Sequence, residues 1–270
     1  MAAWVAWSLA RRSGGTFLLR HEDIDRTRVR EEYYQGIEDD LRWLGLGWDE
    51  APLRQTDRIP AYEAALDSLK SLGVLYPCFC TRKEINEMGA PQGPEGPLYP
   101  GTCRELPDEI RNEKLAAGLS HAWGLDSAKA ACLCGRLLTF NDLLHGVSVV
   151  DYALLGDVVL ARKDIGIAYH LSVVVDDAFQ NITHVTRGED LLPSTHVHRL
   201  LQTLLDLPEP VYLHHPLMVD ESGKRLAKRH DSLAIAAMRD SGASAAEVLE
   251  KIQDPSVIRA IASLTTPSNG

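Results

Sequence analysis

Residues 1–75 alternate helix-like with strand-like stretches, and that rhythm restricts the fold more than any other feature of the 270-residue chain. Trp4 and Leu9 lie in an apolar stretch that closes on Arg11-Arg12-Ser13-Gly14-Gly15, a basic last turn and a glycine stop, which predicts a helix. Residues 16–20 then read as a short buried strand, and helix followed by strand returns at 29–44 and 61–72. A layered α/β structure is expected and a helical bundle is excluded. The two arginines follow the first apolar stretch, whereas a secretory signal carries its basic residues ahead of it. No glycine-rich strand-to-helix turn precedes the first helix, where nucleotide-binding α/β folds place one.

From Tyr76 to about Leu106 the composition changes. Cys78, Cys80 and Cys103 flank a run of prolines and glycines at 90–97, which predicts an inserted small module. Five cysteines are an odd number for a disulfide framework, and the two Cys-x-Cys pairs suit a metal in a reducing, cytosolic compartment better. Cys78, Cys80 and Cys103 supply three thiolates of a tetrahedral site. The fourth ligand is Tyr99, or else Cys132 and Cys134 form an alternative site; the plainer reading is a set of buried free cysteines. Regular structure returns at 137–144, with strand-like runs at 157–161, 171–175 and 181–187, a helix at 196–205 and an alanine-rich helical tail at 233–252. The resulting units are 1–75, 76–136, 137–215 and 216–270.

The formal charge of −10 gives no general attraction for phosphate, so contact with a nucleic acid has to come from local cations. The loop Gly223-Lys224-Arg225-Leu226-Ala227-Lys228-Arg229 is one such cluster, able to close over a triphosphate or simply to lie solvated on the surface. Arg20-His21-Glu22-Asp23-Ile24-Asp25 puts carboxylates at a strand end, where one could hold an ammonium; the structural alternative is a helix cap by Asp23 or Asp25. Tyr169-His170, Asp176-Asp177 and Arg187-Gly188-Glu189-Asp190 flank apolar runs read as strands; a phenol and a guanidinium there could bind a carboxylate, or could serve in ordinary salt bridges. The apolar runs are strand-sized, so no membrane partner is expected.

In this order, residues 17–25, the Cys78/Cys80 module, 169–177, 185–190 with Ser194-Thr195 and the 224–229 loop resemble the glutamyl-tRNA synthetase-like class I enzymes. The resemblance runs over about 4–229 and is most specific at 169–190. It is closest to the short members: only a brief tail follows Arg229, and Cys78-x-Cys80 with Tyr99-x-x-x-Cys103 is similar to their zinc pattern. The resemblance implies a Rossmann-like catalytic domain with an inserted zinc module that faces the nucleic acid, and a short helical tail. It also implies that Glu22 holds the ammonium of glutamate, that Tyr169 and Arg187 bind the amino acid, and that Cys78, Cys80, Tyr99 and Cys103 hold zinc. Arg225, Leu226, Ala227, Lys228 and Arg229 would be the signature loop, with Lys228 on ATP, which Mg2+ would accompany, and serving catalysis. The implied activity is that of a ligase: ATP-dependent activation of glutamate, then transfer to the queuosine of tRNA(Asp), by a cytoplasmic monomer. The family opens with a strand, an Arg/Ser loop and a His-x-Gly-His-like helix start, and Met1 falls inside the helix that follows them. An N-terminally truncated catalytic domain is therefore expected, with two explanations open: a start upstream of Met1, or a non-catalytic truncated paralogue that binds tRNA or glutamate.

Overall fold

The computed structural model describes residues 1–25, 27, 29–163, 166–219 and 235–264. Helix α1, Ala2–Arg12, buries Val5, Ser8 and Leu9 on one stripe and ends at Ser13, after which Gly14 takes φ +65°. Residues 16–19, expected as a buried strand, form none, although the carbonyls of Phe17 and Leu19 accept from the amides of Asp49 and Leu53. The ladder starts only after them: strand β1, Arg20–His21, pairs in parallel with β2, Leu53–Arg54. Between these strands runs α2, Glu31–Trp43, and after β2 comes α3, Ile59–Ser71. Neither Asp23 nor Asp25 caps a helix. Asp23 is buried and accepts from Tyr34 Oη at 2.6 Å and from the Thr56 amide and hydroxyl, Asp25 turns back to Thr27, and α2 begins at Arg30 without a side-chain cap.

Two four-stranded sheets carry the rest. In the first, β3 (Leu75–Cys78), β6 (Ala122–Leu125), β9 (Val159–Arg162) and β10 (Gly166–Ile167) lie antiparallel in the order β10-β9-β6-β3. Strands on the two sides of residue 136 thus share one sheet. In the second, the order is β11-β12-β7-β8, built from β7 (Thr139–Asp142), β8 (Gly146–Val149), β11 (His184–Gly188) and β12 (Val211–His215). Strands β11, β12 and β7 are mutually parallel, which places helices over the sheet. Those helices include α1, against β11, and α8, Leu192–Leu204, against β7; α7, Tyr169–Phe179, packs on α8 and on β9 of the first sheet.

Residues 171–175, expected as a strand, lie within α7. The helix packs against α3, β9 and α8 together, so Leu171, Val173 and Val174 are all buried and the apolar run is continuous rather than periodic. The helical tail breaks into α9 (Ile235–Asp240), α10 (Ala245–Lys251) and α11 (Pro255–Leu264), with a turn at Gly242, φ +91°. Val257 and Ile261 of α11 pack on Val5 and Leu9, which ties the tail to α1. Among the described residues no helix is long and apolar enough to cross a membrane.

One ion pair locks α7 to α3 and the turn that leads into it. The Asp176 carboxylate is fully buried and accepts from Arg58 Nε at 2.6 Å, Gln55 Nε2 at 2.9 Å and Tyr62 Oη at 2.6 Å. Burial, then the bond to Asp176, pushes the Tyr62 phenol above its usual range. Asp176→Ala would strand a half-buried guanidinium and two further donors, so a loss of about 3 kcal/mol is expected in urea unfolding, with Asp176→Asn losing less. Equal stability of Asp176→Ala and the unaltered chain would show the pair to be dispensable.

Candidate active site

Arg187, near the end of β11, is almost fully buried, and its guanidinium meets only neutral partners among the described residues. Nε donates to His214 Nε2 at 3.0 Å, Nη2 to Thr195 Oγ1 at 2.7 Å, and Nη1 to Tyr169 Oη and His198 Nδ1, each at 3.2 Å. A guanidinium only donates, so the imidazole nitrogens facing it must offer lone pairs. His214 therefore carries its proton on Nδ1 and gives it to Asp142 Oδ2 at 2.6 Å. His198 carries its proton on Nε2 and gives it to His170 Nδ1 at 3.2 Å. Burial pushes His214 below its ordinary value, with the Asp142 bond opposing; burial and then the charge of Arg187 push His198 well below. Asp142 stays below the usual carboxylate range because bonds from His214 and the Leu144 and His145 amides outweigh its burial.

Among the described residues no carboxylate bonds this guanidinium; a buried cation without a bonded counter-ion is costly, and an incoming anion removes that cost. Two donors remain for it: the second N–H of Nη2, and the Tyr169 hydroxyl, which accepts from Arg187 and so keeps its own proton to give. Tyr169 is also 36% exposed, which leaves this end of the cluster in reach of solvent. The arrangement suits a carboxylate.

The opposite charge sits close by. Arg20 of β1 donates to Asp177 Oδ1 at 2.9 Å, while Glu22 lies 3.5 Å from Arg20 and keeps 47% of its side chain accessible. Enclosure by the surrounding chain raises the carboxyls of both Glu22 and Asp177, with Arg20 opposing in each case. Both acids also act on the Tyr169 phenol, which burial raises first of all. Glu22, Tyr169 and Arg187 thus share one charged neighbourhood, with acceptors for an ammonium beside donors for a carboxylate.

The cysteine cluster is a separate centre. The sulfurs of Cys78, Cys80 and Cys103 lie within 4.8 Å of one another, and Cys80 Sγ is 3.5 Å from both Cys103 Sγ and Tyr99 Oη. Three soft donors at this spacing can hold a metal ion. Strand β3 supplies Cys78, and α4 (Arg82–Glu87), whose capping box joins Thr81 to Glu84, fixes the turn after Cys80. Lys163 Nζ donates to the carbonyls of Phe79 and Cys80 at 2.7 and 3.0 Å, pinning the same turn from the end of β9. Cys132 and Cys134 lie on α6, Ser127–Cys134; Cys132 is exposed and Cys134 packs against the main core instead.

Arg225, Leu226, Ala227, Lys228 and Arg229 lie outside the described residues. Sequence reasoning did not single out His198, His214, Asp142 or Glu95 for this site. A signal for one of them was present: Ser194, Thr195 and His198 are spaced to share one face of a helix, and polar side chains on a helix that also buries Val197, Leu200 and Leu201 need a partner inside.

The family model of class I tRNA synthetases (E and Q), catalytic domain, matches residues 1–253. The chain is 43% identical over 262 residues to the glutamyl-Q tRNA(Asp) synthetase of Rhodobacter capsulatus, covering 92% of this chain and 91% of that protein. It is 44% identical to the protein of that name from Nitratidesulfovibrio vulgaris, with 91% of this chain and 78% of that one covered. Among solved structures, the glutamate-tRNA synthetase of Elizabethkingia anophelis superposes with a TM-score of 0.70 at 28% identity, over 86% of this chain. The chain spans about half the length of that structure, at 50%.

Proposed function

Because the chain belongs to the class I tRNA synthetases of the E and Q type, we propose that it activates L-glutamate with ATP and passes the glutamyl group to the queuosine of tRNA(Asp). The observation that carries the amino-acid half is the buried Arg187 guanidinium, surrounded by neutral partners and set near Glu22. Arg187 and Tyr169 would receive the carboxylate that does not react, and Glu22 the ammonium. The α-carboxylate is then free to attack the α-phosphorus of ATP, forming the acyl-phosphate bond as pyrophosphate leaves. In the second step a hydroxyl of the queuosine cyclopentenediol attacks the acyl carbon, its proton goes to solvent, and AMP leaves. Positioning and charge stabilisation can carry both steps, so no general base is assigned. Lys228 of the 225–229 loop is the proposed contact to the phosphates of ATP, which Mg2+ would accompany, on the resemblance alone.

The acceptor follows the names of the relatives at 43% and 44% identity. No observation favours a non-catalytic protein. Cys78, Cys80, Cys103 and Tyr99 would hold zinc, whose contribution is structural: it clamps the turn after β3 to the loop that carries Tyr99 and Cys103. Labelled glutamate should enter tRNA from cells that make queuosine and not tRNA from cells that lack it. Equal labelling of the two pools would defeat the assignment of the acceptor.

A further inference from the structure

The inserted module reaches the amino-acid site at one point. Its hairpin pairs β4, Gln92–Gly93, with β5, Gly96–Pro97, and carries Glu95 in the turn between them. The Glu95 carboxylate accepts from the Ser194 hydroxyl through Oε1, while Oε2 faces His170 Nε2 at 3.5 Å. His170 Nδ1 is already the acceptor for His198, so the proton of His170 must sit on Nε2, the nitrogen turned toward Glu95. The order of donation is fixed along the whole chain. Arg187 donates to His198, His198 to His170, and His170 points its N–H at Glu95.

We infer that Glu95 is a positioning residue for the amino-acid site: it holds His170 and His198 in the tautomers that keep lone pairs toward Arg187, and so fixes the guanidinium for a carboxylate ligand. Without an acceptor at Glu95, His170 can move its proton to Nδ1. His198 must then accept at Nε2 and carry its own proton on Nδ1, where it meets an N–H of Arg187, donor against donor. The carboxylate suits the task, because the bond from His170 keeps Glu95 below its usual range despite partial burial, so it stays an acceptor at neutral pH. Its place on the hairpin makes the cysteine module part of the apparatus that reads the amino acid.

The inference rests on the amino-acid reading proposed above, and the test separates the two. Calorimetric titration with L-glutamate, on the full chain and on Glu95→Ala and Glu95→Gln, gives affinity; imidazole 15N shifts give the tautomers of His170 and His198. Glu95→Ala should bind glutamate about tenfold more weakly, with His170 moving toward the Nδ1–H form, while Glu95→Gln, which keeps a carbonyl acceptor, should recover most of the affinity. Metal content and Tm should not change, since a merely structural defect would lower both. Glutamate binding by the unaltered chain, matched by Glu95→Ala, would overturn the inference alone, as would unchanged tautomers. No binding by the unaltered chain would overturn the amino-acid reading and the inference with it.

Discussion

Arg187→Ala is expected to abolish measurable binding of L-glutamate. The change removes the cation that a carboxylate would meet and leaves His198 Nδ1 without its donor in a buried cluster, while His214 Nε2 keeps only the Thr195 hydroxyl at 3.2 Å. Truncating one partner of a buried, hydrogen-bonded charge pair costs about 2–5 kcal/mol, which is roughly 30-fold to several thousand-fold in affinity. Arg187→Lys should recover little of it, because one ammonium cannot address His214, His198, Thr195 and Tyr169 at once. Titration calorimetry beside thermal melts separates a lost ligand from a lost fold. A folded Arg187→Ala chain with undiminished affinity would move the amino-acid site elsewhere.

The second large effect concerns the cysteine cluster. Cys103→Ser is expected to yield protein without its metal, whereas the double change Cys132→Ser/Cys134→Ser should keep one ion per chain. The reason is placement: Cys103 lies with Cys78 and Cys80, while the other pair lies on α6. Structural zinc in small modules commonly contributes on the order of 10 kcal/mol of apparent binding energy, so a chelator should lower the Tm of the unaltered chain and leave Cys103→Ser nearly unaffected. Metal lost in the double variant and kept in Cys103→Ser would reverse the ligand assignment. Tyr99→Phe adds a finer comparison, since the Tyr99 hydroxyl lies 3.5 Å from Cys80 Sγ and also accepts from the Cys103 amide at 2.8 Å.

These two centres differed in how far they could be read from sequence. The meeting of Cys78, Cys80 and Cys103 was legible because Cys-x-Cys is a local pattern and Cys103 follows within the same inserted module. Tyr169 and Arg187 stood out as polar residues beside apolar runs. Their partners did not, because Asp142 meets His214 across 72 positions and Glu95 meets Ser194 across 99, contacts that only the topology creates. The strand misread at 171–175 has a related cause. Periodicity reports one buried face, and α7 is enclosed by α3, β9 and α8, so the pattern that separates helix from strand is absent. The strand expected at 16–20 is present only at Arg20, because ladder pairing there depends on β2, more than 30 residues later, so its limits were not local information.

The pairing of β3 with β6 also bears on how such chains can lengthen or shorten. Cys78 lies opposite Ala122 in the ladder, so residues 79–121, with α4, a further helix α5 at Asp108–Ala116 and the Glu95 hairpin, amount geometrically to the tip of an overgrown β-turn. The two roots stand a few ångströms apart whatever hangs between them, and lengthening a closed loop adds only about 0.6 kcal/mol per doubling. Insertions and deletions at the tip can therefore accumulate without disturbing the four-stranded ladder beneath. A graft that exchanges 79–121 between relatives joins matching ends, whereas one cut at 76–136 would sever the pairing of β6 with β9.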